Sequence, residues 1–346
     1  MNIAVLCGGI STERNVSLAG GKAVCLALKA LGHFPLMIDP AKGTSCLINF
    51  ETFTPETNVT PTKEELMQLK PRNLMECLSM PIFNQIDLAF IVLHGKYGED
   101  GVIQALLEAR GIPYTGSEVK ASALAMDKNT SKLIFAAAGL QVAQGYPIRQ
   151  ENFNNTEYHQ ALKAELGNKI VVKPNDQGSS VGVTIIENGN IDDLGNAIRT
   201  AGLYSETVVV ERFIPGREIT VGLINGQTLP VVEIAPEGGW YDFKHKYTHG
   251  HTGYQCPAAI PEDVAEFAMN CARTAYFALG CDGFARADFR LNEDNVPIII
   301  EMNTIPGFTD SSLVPMAAKS IGIEFPELCQ RIINVAVEKY NKRNAK

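Results

Sequence analysis

Apolar residues fall into two rhythms along this chain. Short, nearly unbroken runs occur at residues 2–7, 34–38 and 87–93, while residues 16–31 and 102–109 carry apolar side chains at helical intervals. The runs predict buried strands and the spaced segments predict helices. Gly8-Gly9 turns the first run toward the first helix, Gly32 stops that helix, and the third run ends at His94-Gly95. Strand and helix alternating in this way predict an α/β fold with a mostly parallel sheet, closing near Gly116. Residues 39–80 break the rhythm. They are richer in Thr, Pro and Asn, with one helix expected after Thr62, and read as an insertion.

Beyond residue 116 the pattern changes. Helical spacing at 118–125 and 130–138 gives way to strand runs at 169–173, 181–187, 207–213, 218–224 and 229–234, with a helix at 192–201. Small polar residues, Asn175-Asp176-Gln177-Gly178-Ser179-Ser180, separate the first two of these strands. Residues 235–257 are glycine-rich, polar and aromatic, and long for a connection, which marks a functional loop or lid. A helix at 261–279, a hairpin at 283–303 and two helices after Ser311 are expected to finish the chain.

Composition narrows the class. At 346 residues the chain exceeds the roughly 150 that one core usually serves, so two or three domains are expected. A hydrophobic share of 45% with 20% charged residues is that of a globular enzyme or binding protein. The net charge of −8 argues against nucleic acid as a partner. No apolar stretch reaches the ~18–20 residues of a membrane span, and the opening residues lack a basic segment. No membrane partner and a cytoplasmic location are therefore expected. Eight cysteines at 7, 25, 46, 77, 256, 271, 281 and 329 form no Cys-x-x-Cys pair. They suit reduced, mostly buried thiols.

Neither G-x-x-x-x-G-K-[ST] nor G-x-G-x-x-G occurs. In their place stand Lys173 at a strand end and the turn Gly178-Ser179-Ser180-Val181-Gly182. A lysine there can pair with one phosphate while turn amides cradle others, although a strand-end lysine is also an ordinary surface charge. The hairpin is sharper. Alternate strand residues share a face, so Arg286 points with Asp288 and Glu301 with Asn303. A two-residue turn at Asp294-Asn295 sets Asp288 opposite Glu301 and Arg286 opposite Asn303. Facing carboxylates repel unless a cation lies between them, and oxygen ligands favour Mg²⁺. A solvated face with an Arg–Glu pair fits the same parity. His245, His249 and His251 lie close together on the expected lid and read as a solvated loop.

The ordered motifs go further. Gly8-Gly9-Ile10-Ser11-Thr12-Glu13-Arg14-Asn15-Val16-Ser17, His94-Gly95-Lys96-Tyr97-Gly98-Glu99-Asp100-Gly101, Ala125-Met126-Asp127-Lys128, Val172-Lys173-Pro174, the Gly178 turn, Lys246-Tyr247, Glu301-Met302-Asn303-Thr304-Ile305-Pro306-Gly307 and Ser312-Leu313-Val314-Pro315 follow one another along nearly the whole chain. This set resembles the D-alanine–D-alanine ligases of the ATP-grasp superfamily. Asn15 stands where many members carry an acidic residue.

The resemblance implies α/β architecture, α+β in the ATP-binding part, with three domains: 1–116 binding substrate, 117–211 as the central ATP-grasp domain and 212–346 as the C-terminal one, with a lid at about 236–256. It implies ATP as co-substrate and two Mg²⁺ ions, replaceable by Mn²⁺, held by Asp288, Glu301 and Asn303 with Glu301 bridging. Lys128, Lys173, Gly178, Ser180 and Lys246 would meet ATP, Glu211, Arg212, Phe213 and Ile214 would line the adenine pocket, and Glu218 would take the ribose. Glu13, Ser179 and Tyr247 would form a network tying the closing loops to the first substrate. Arg286 and the Gly307 N–H would stabilise the oxyanion, and His94, Ser312 and Leu313 would contact substrate. The implied reaction joins two D-alanines through an acyl phosphate for peptidoglycan precursor synthesis, and a homodimer is expected. D-lactate or D-serine as second substrate is the alternative, which Tyr247 disfavours.

Overall fold

The computed structural model describes residues 1–56, 59, 61–236 and 252–344. Three sheets organise them. The first contains β1 (Asn2–Leu6), β2 (Phe34–Ile38), β3 (Leu47–Ile48) and β4 (Leu88–Ile91) in the order β3-β2-β1-β4. The last three pair in parallel and β3 pairs antiparallel to β2. Ile3 to Leu6 and Leu88 to Ile91 are completely buried, as strands covered on both faces must be. The helix Arg14–Ala30 packs tightly because Gly21 faces β1: a Cβ there would sit 2.5 Å from Cys7 Sγ.

The second sheet is antiparallel, in the order β5-β8-β6-β7, and comprises β5 (Gly145–Arg149), β6 (Ile170–Pro174), β7 (Thr184–Ile186) and β8 (Thr207–Arg212). Helices Thr156–Leu166 and Ile191–Gly202 cover it, burying Leu162, Leu166, Leu194 and Ile198 against its valines. The third sheet holds β9 (Arg217–Ile224), β10 (Gln227–Thr228), β11 (Val232–Pro236), β12 (Thr252–Gln255), β13 (Phe284–Leu291) and β14 (Pro297–Asn303) in the path β12-β11-β9-β13-β14, with β10 on β9. Helices Val119–Met126, Lys128–Ala137 and Glu262–Leu279 share its core through Ala121, Phe135, Ala272 and Tyr276.

Residues 39–80 are not a detached insertion. Cys46, Leu74, Cys77 and Leu78 are buried in the core of the first sheet. The expected helix after Thr62 is Lys63–Gln68, where Thr62 and Glu65 close a reciprocal capping box. The two-residue hairpin turn also needs correction. Asn292 N–H bonds Val296 O at 3.1 Å, so Glu293-Asp294-Asn295 make the turn, with Asn295 at φ 59. A bulge between Asp288 and Phe289 takes up the extra residue on β14. The two departures cancel, so Asp288 still faces Glu301 and Arg286 still faces Asn303.

The turn from β8 into β9 depends on Gly216. Its φ is +120, and an added Cβ would lie 2.1 Å from the Leu291 carbonyl oxygen. We predict that Gly216→Ala costs at least about 2 kcal/mol, the scale of enforced backbone strain. Calorimetric unfolding checks this, and an unchanged melting temperature would contradict it.

Candidate active site

The carboxyl ends of β1 and β4 come together through Ser17. Its hydroxyl accepts the Gly8 N–H at 2.8 Å and donates to Val92 O at 2.7 Å. Asp39 steadies the glycine turn by accepting the Gly9 N–H at 3.2 Å and by an ion pair with Arg14. This frame places Glu13 at the start of the first helix, buried. Ser179, from the loop after β6, donates its hydroxyl proton to Glu13. Ser179 and Ser180 both hold positive φ, 49 and 59, a strained conformation for residues with a side chain. One predicted link between the loops is thus in place.

His94 ends the β4 run. Its Nδ1 lies 3.0 Å from Ile305 O, so Nδ1 carries the proton and donates it. Nε2 is buried and has no hydrogen-bond partner among the described residues. Burial holds the imidazole pKa below its ordinary value, although Glu13 pulls the other way. A neutral ring therefore presents an acceptor nitrogen.

On the hairpin the two carboxylates are each met by a cation. Arg286 donates from Nε and Nη2 to Asp288 Oδ1 and Oδ2 at 2.8 and 2.7 Å. Thr220 Oγ1 and Asn303 Nδ2 add bonds to Asp288 at 2.6 and 2.9 Å. Lys128 reaches Glu301 at 3.0 Å and donates to Gln177 O at 2.7 Å. Burial opposes the charge of Lys128, yet the attraction of Glu301, with smaller contributions from Glu99 and Asp176, outweighs it and raises the lysine pKa. Among the described residues no three His, Cys, Asp or Glu side chains cluster as a metal cage. The pair Asp288 and Glu301 with the Asn303 amide nevertheless suits a hard ion that takes its remaining ligands from water and phosphate.

Lys128, Lys173, Gly178, Ser180, Glu211, Phe213, Ile214, Glu218, Asp288 and Glu301 line one cleft of about 930 Å³, open to solvent. Arg212 also borders it, but its guanidinium turns to the carbonyls of Glu165 and Leu166. Glu211 receives both Lys173 and Lys132. Burial disfavours the Glu211 carboxylate, yet the two lysines hold its pKa below the usual range. Glu218 lies 3.6 Å from Arg290. Gly307 sits against Ser312, which precedes the helix Leu313–Ser320 and accepts the Thr309 N–H at 3.0 Å. Leu313 packs on the first core. Lys246, Tyr247, His245, His249 and His251 lie outside the described residues. The last part of the expected lid forms β12, paired to β11.

Sequence reasoning passed over Lys132, Glu99, Thr220 and Arg290. Lys132 follows Lys128 by one helical turn, and Arg290 shares the strand face of Arg286 and Asp288. Those spacings were readable signals. Glu99 and Thr220 carry none beyond their neighbours.

Glu99 accepts the Gly95 N–H at 2.7 Å and lines a small recess with Lys128, Glu301 and Asn303. Burial, then repulsion from Glu13 and Glu301, pushes its pKa from 4.5 to about 8, against Gly95 and Arg286. Between these values the folded state keeps a proton that the unfolded chain has lost. Stability therefore falls as pH rises through that window. We predict that Glu99→Gln flattens the decline in urea-unfolding free energy between about pH 5 and pH 8; identical slopes in both proteins would contradict it.

Comparison with known proteins agrees with this arrangement. Family models described as D-ala D-ala ligase N-terminus and D-ala D-ala ligase C-terminus match residues 2–117 and 134–334. A D-alanine--D-alanine ligase of Anaeromyxobacter sp. (strain Fw109-5) is 42% identical over 340 residues, covering 97% of each chain. The Bacillus anthracis D-alanine--D-alanine ligase complexed with ATP superposes with TM-score 0.75 at 29% identity, covering 99% of each chain. The VanG D-Ala:D-Ser ligase of Enterococcus faecalis gives TM-score 0.76 at 29% identity, over 97% of this chain and 99% of that one. With its two halves and nearly its full length matched, the chain belongs to the D-alanine–D-alanine ligase family.

Proposed function

We propose that this protein joins two D-alanines into D-alanyl-D-alanine, consuming ATP and releasing ADP and phosphate, for peptidoglycan precursor synthesis. The observation that carries the reading is one cleft in which Lys128 and Lys173 stand beside the facing carboxylates Asp288 and Glu301, in a chain of this family. A carboxylate is a poor acyl electrophile and needs activation. The first D-alanine carboxylate attacks the γ-phosphorus of ATP, breaking the bond to the β-phosphate oxygen. The acyl phosphate then receives the amine of the second D-alanine and loses phosphate.

Phosphoryl transfer asks mainly for positioning and charge neutralisation. Lys128, Lys173 and the amides around Gly178 and Ser180 hold phosphates. Glu211 to Ile214 border the base, and Glu218 takes the ribose. Asp288, Glu301 and Asn303 would hold two Mg²⁺ ions, or Mn²⁺, which would supply charge neutralisation at the transferring group. Glu13 receives the first substrate's ammonium, and the acceptor nitrogen of His94 suits an N–H of the same group. Arg286 and the Gly307 N–H receive the oxyanion of the tetrahedral intermediate, while Ser312 and Leu313 hold the second substrate. Lys246 and Tyr247 complete the set from the lid, whose closure excludes water from the acyl phosphate.

The proposal includes the division at 116/117 and 211/212, with ATP between the second and third units, and a homodimer. It also includes a cytoplasmic location; no described helix is long and apolar enough to cross a membrane. The likeness to a D-Ala:D-Ser ligase keeps D-serine as the rival second substrate.

The test measures phosphate released from ATP with D-alanine, L-alanine, and D-alanine plus D-serine or D-lactate, with product masses. D-alanine alone is expected to give the dipeptide; no D-alanine-dependent phosphate overturns the reading. Arg286→Ala is predicted to lower turnover by roughly a hundredfold, the scale of one oxyanion donor. Near-normal turnover would remove Arg286 from the chemistry.

A further inference from the structure

Lys132 does not border the nucleotide cleft, yet it is buried and charged. It comes from the helix Lys128–Ala137, one turn after Lys128, so the two ammonium groups leave the same side of the helix. Lys128 reaches the cleft and Lys132 reaches Glu211 Oε2. The other oxygen, Oε1, receives Lys173. Lys173 on β6 and Glu211 on β8 are diagonal neighbours on one face, since Val171 pairs with Glu211 and Lys173 with Val209. All three side chains are at most 10% exposed.

One carboxylate cannot neutralise two ammonium groups. The cluster carries a net positive charge in a low-dielectric setting, where an uncompensated charge is costly. Its only member facing the cleft as a cation is Lys173 among the three. Burial pushes Lys132 below the ordinary lysine value, and the neighbouring Lys173 adds to that against Glu211. Without Lys132, Lys173 and Glu211 form a closed pair of zero net charge.

We propose that Lys132 is a positioning residue that offsets the charge of Glu211, so that Lys173, although paired with the same carboxylate, keeps a net positive field toward nucleotide phosphate. This rests on the reading of the cleft as the ATP site.

Calorimetric binding of ATP or inorganic triphosphate with Mg²⁺ to four proteins tests it: wild type, Lys132→Arg, Lys132→Met, and Lys132→Met combined with Glu211→Gln. The methionine variant is expected to bind ATP at least about tenfold more weakly, the scale of one unit charge several ångströms away at an effective dielectric near 20. The double variant restores a net positive charge and is expected to bind inorganic triphosphate, which has no base for Glu211 to border, more tightly than Lys132→Met does. Arginine at 132 is expected to stay close to wild type. Undiminished binding by Lys132→Met, or a double variant that binds triphosphate as weakly as the single one, overturns the proposal in favour of packing alone. Should Lys132→Met not fold, the double variant is compared with wild type: triphosphate binding close to wild type supports the proposal, and a loss of about tenfold or more overturns it. A wild-type protein that fails to bind ATP overturns the cleft reading itself, which is a different outcome from wild-type binding with no effect at 132.

Discussion

Two carboxylates stand opposite each other on adjacent antiparallel strands, and the rest of the cleft answers that repulsion. Asp288 and Glu301 are register partners, so the strand ladder holds their Cα atoms opposite each other. Each is met by a cation from a different place. Arg286 comes from two residues back on the same strand, and Lys128 from the start of a helix that packs on the same sheet. Asn303 and Thr220 add donors to Asp288 from the strands on either side. Such an array is poorly satisfied in apolar surroundings and well matched to ligands that bring their own charge.

The same economy of charge extends outward. Glu211 sits between two lysines. The pKa of Glu99 is pushed up by its burial first, and then by the negative charge of Glu13 and Glu301. Glu13 in turn accepts Ser179, so the phosphate-loop candidate is fastened to the first sheet by a hydrogen bond to a buried acid. Loop placement and the charge of the cleft are therefore one coupled electrostatic problem. A change at any of these groups alters the environment of the others.

Much of this was readable from the chain because strand parity and helix spacing are local. The buried runs at 2–7 and 87–93, the helix after Gly9 and the shared face of Arg286 and Asp288 follow from periods of two and 3.6 residues. The Asp288–Glu301 register came out correctly although the turn did not, since the bulge at Asp288/Phe289 offsets the longer Glu293–Asn295 connection. Bulges leave little mark in a single sequence. The packing of residues 39–80 was hidden for another reason: Cys46, Leu74 and Cys77 reach the core from short elements separated by polar turns. Lys132 and Glu99 were missed because their roles depend on Glu211 and Glu13, which are distant in sequence.

The most direct measurement is electron paramagnetic resonance of Mn²⁺ titrated into the protein with and without ATP, in wild type and in Asp288→Asn. Binding that tightens with ATP in the wild type, and is lost or greatly weakened when Asp288 loses its charge, is the predicted result. Equal Mn²⁺ binding in both proteins, indifferent to ATP, would contradict a cation site built on the facing strands.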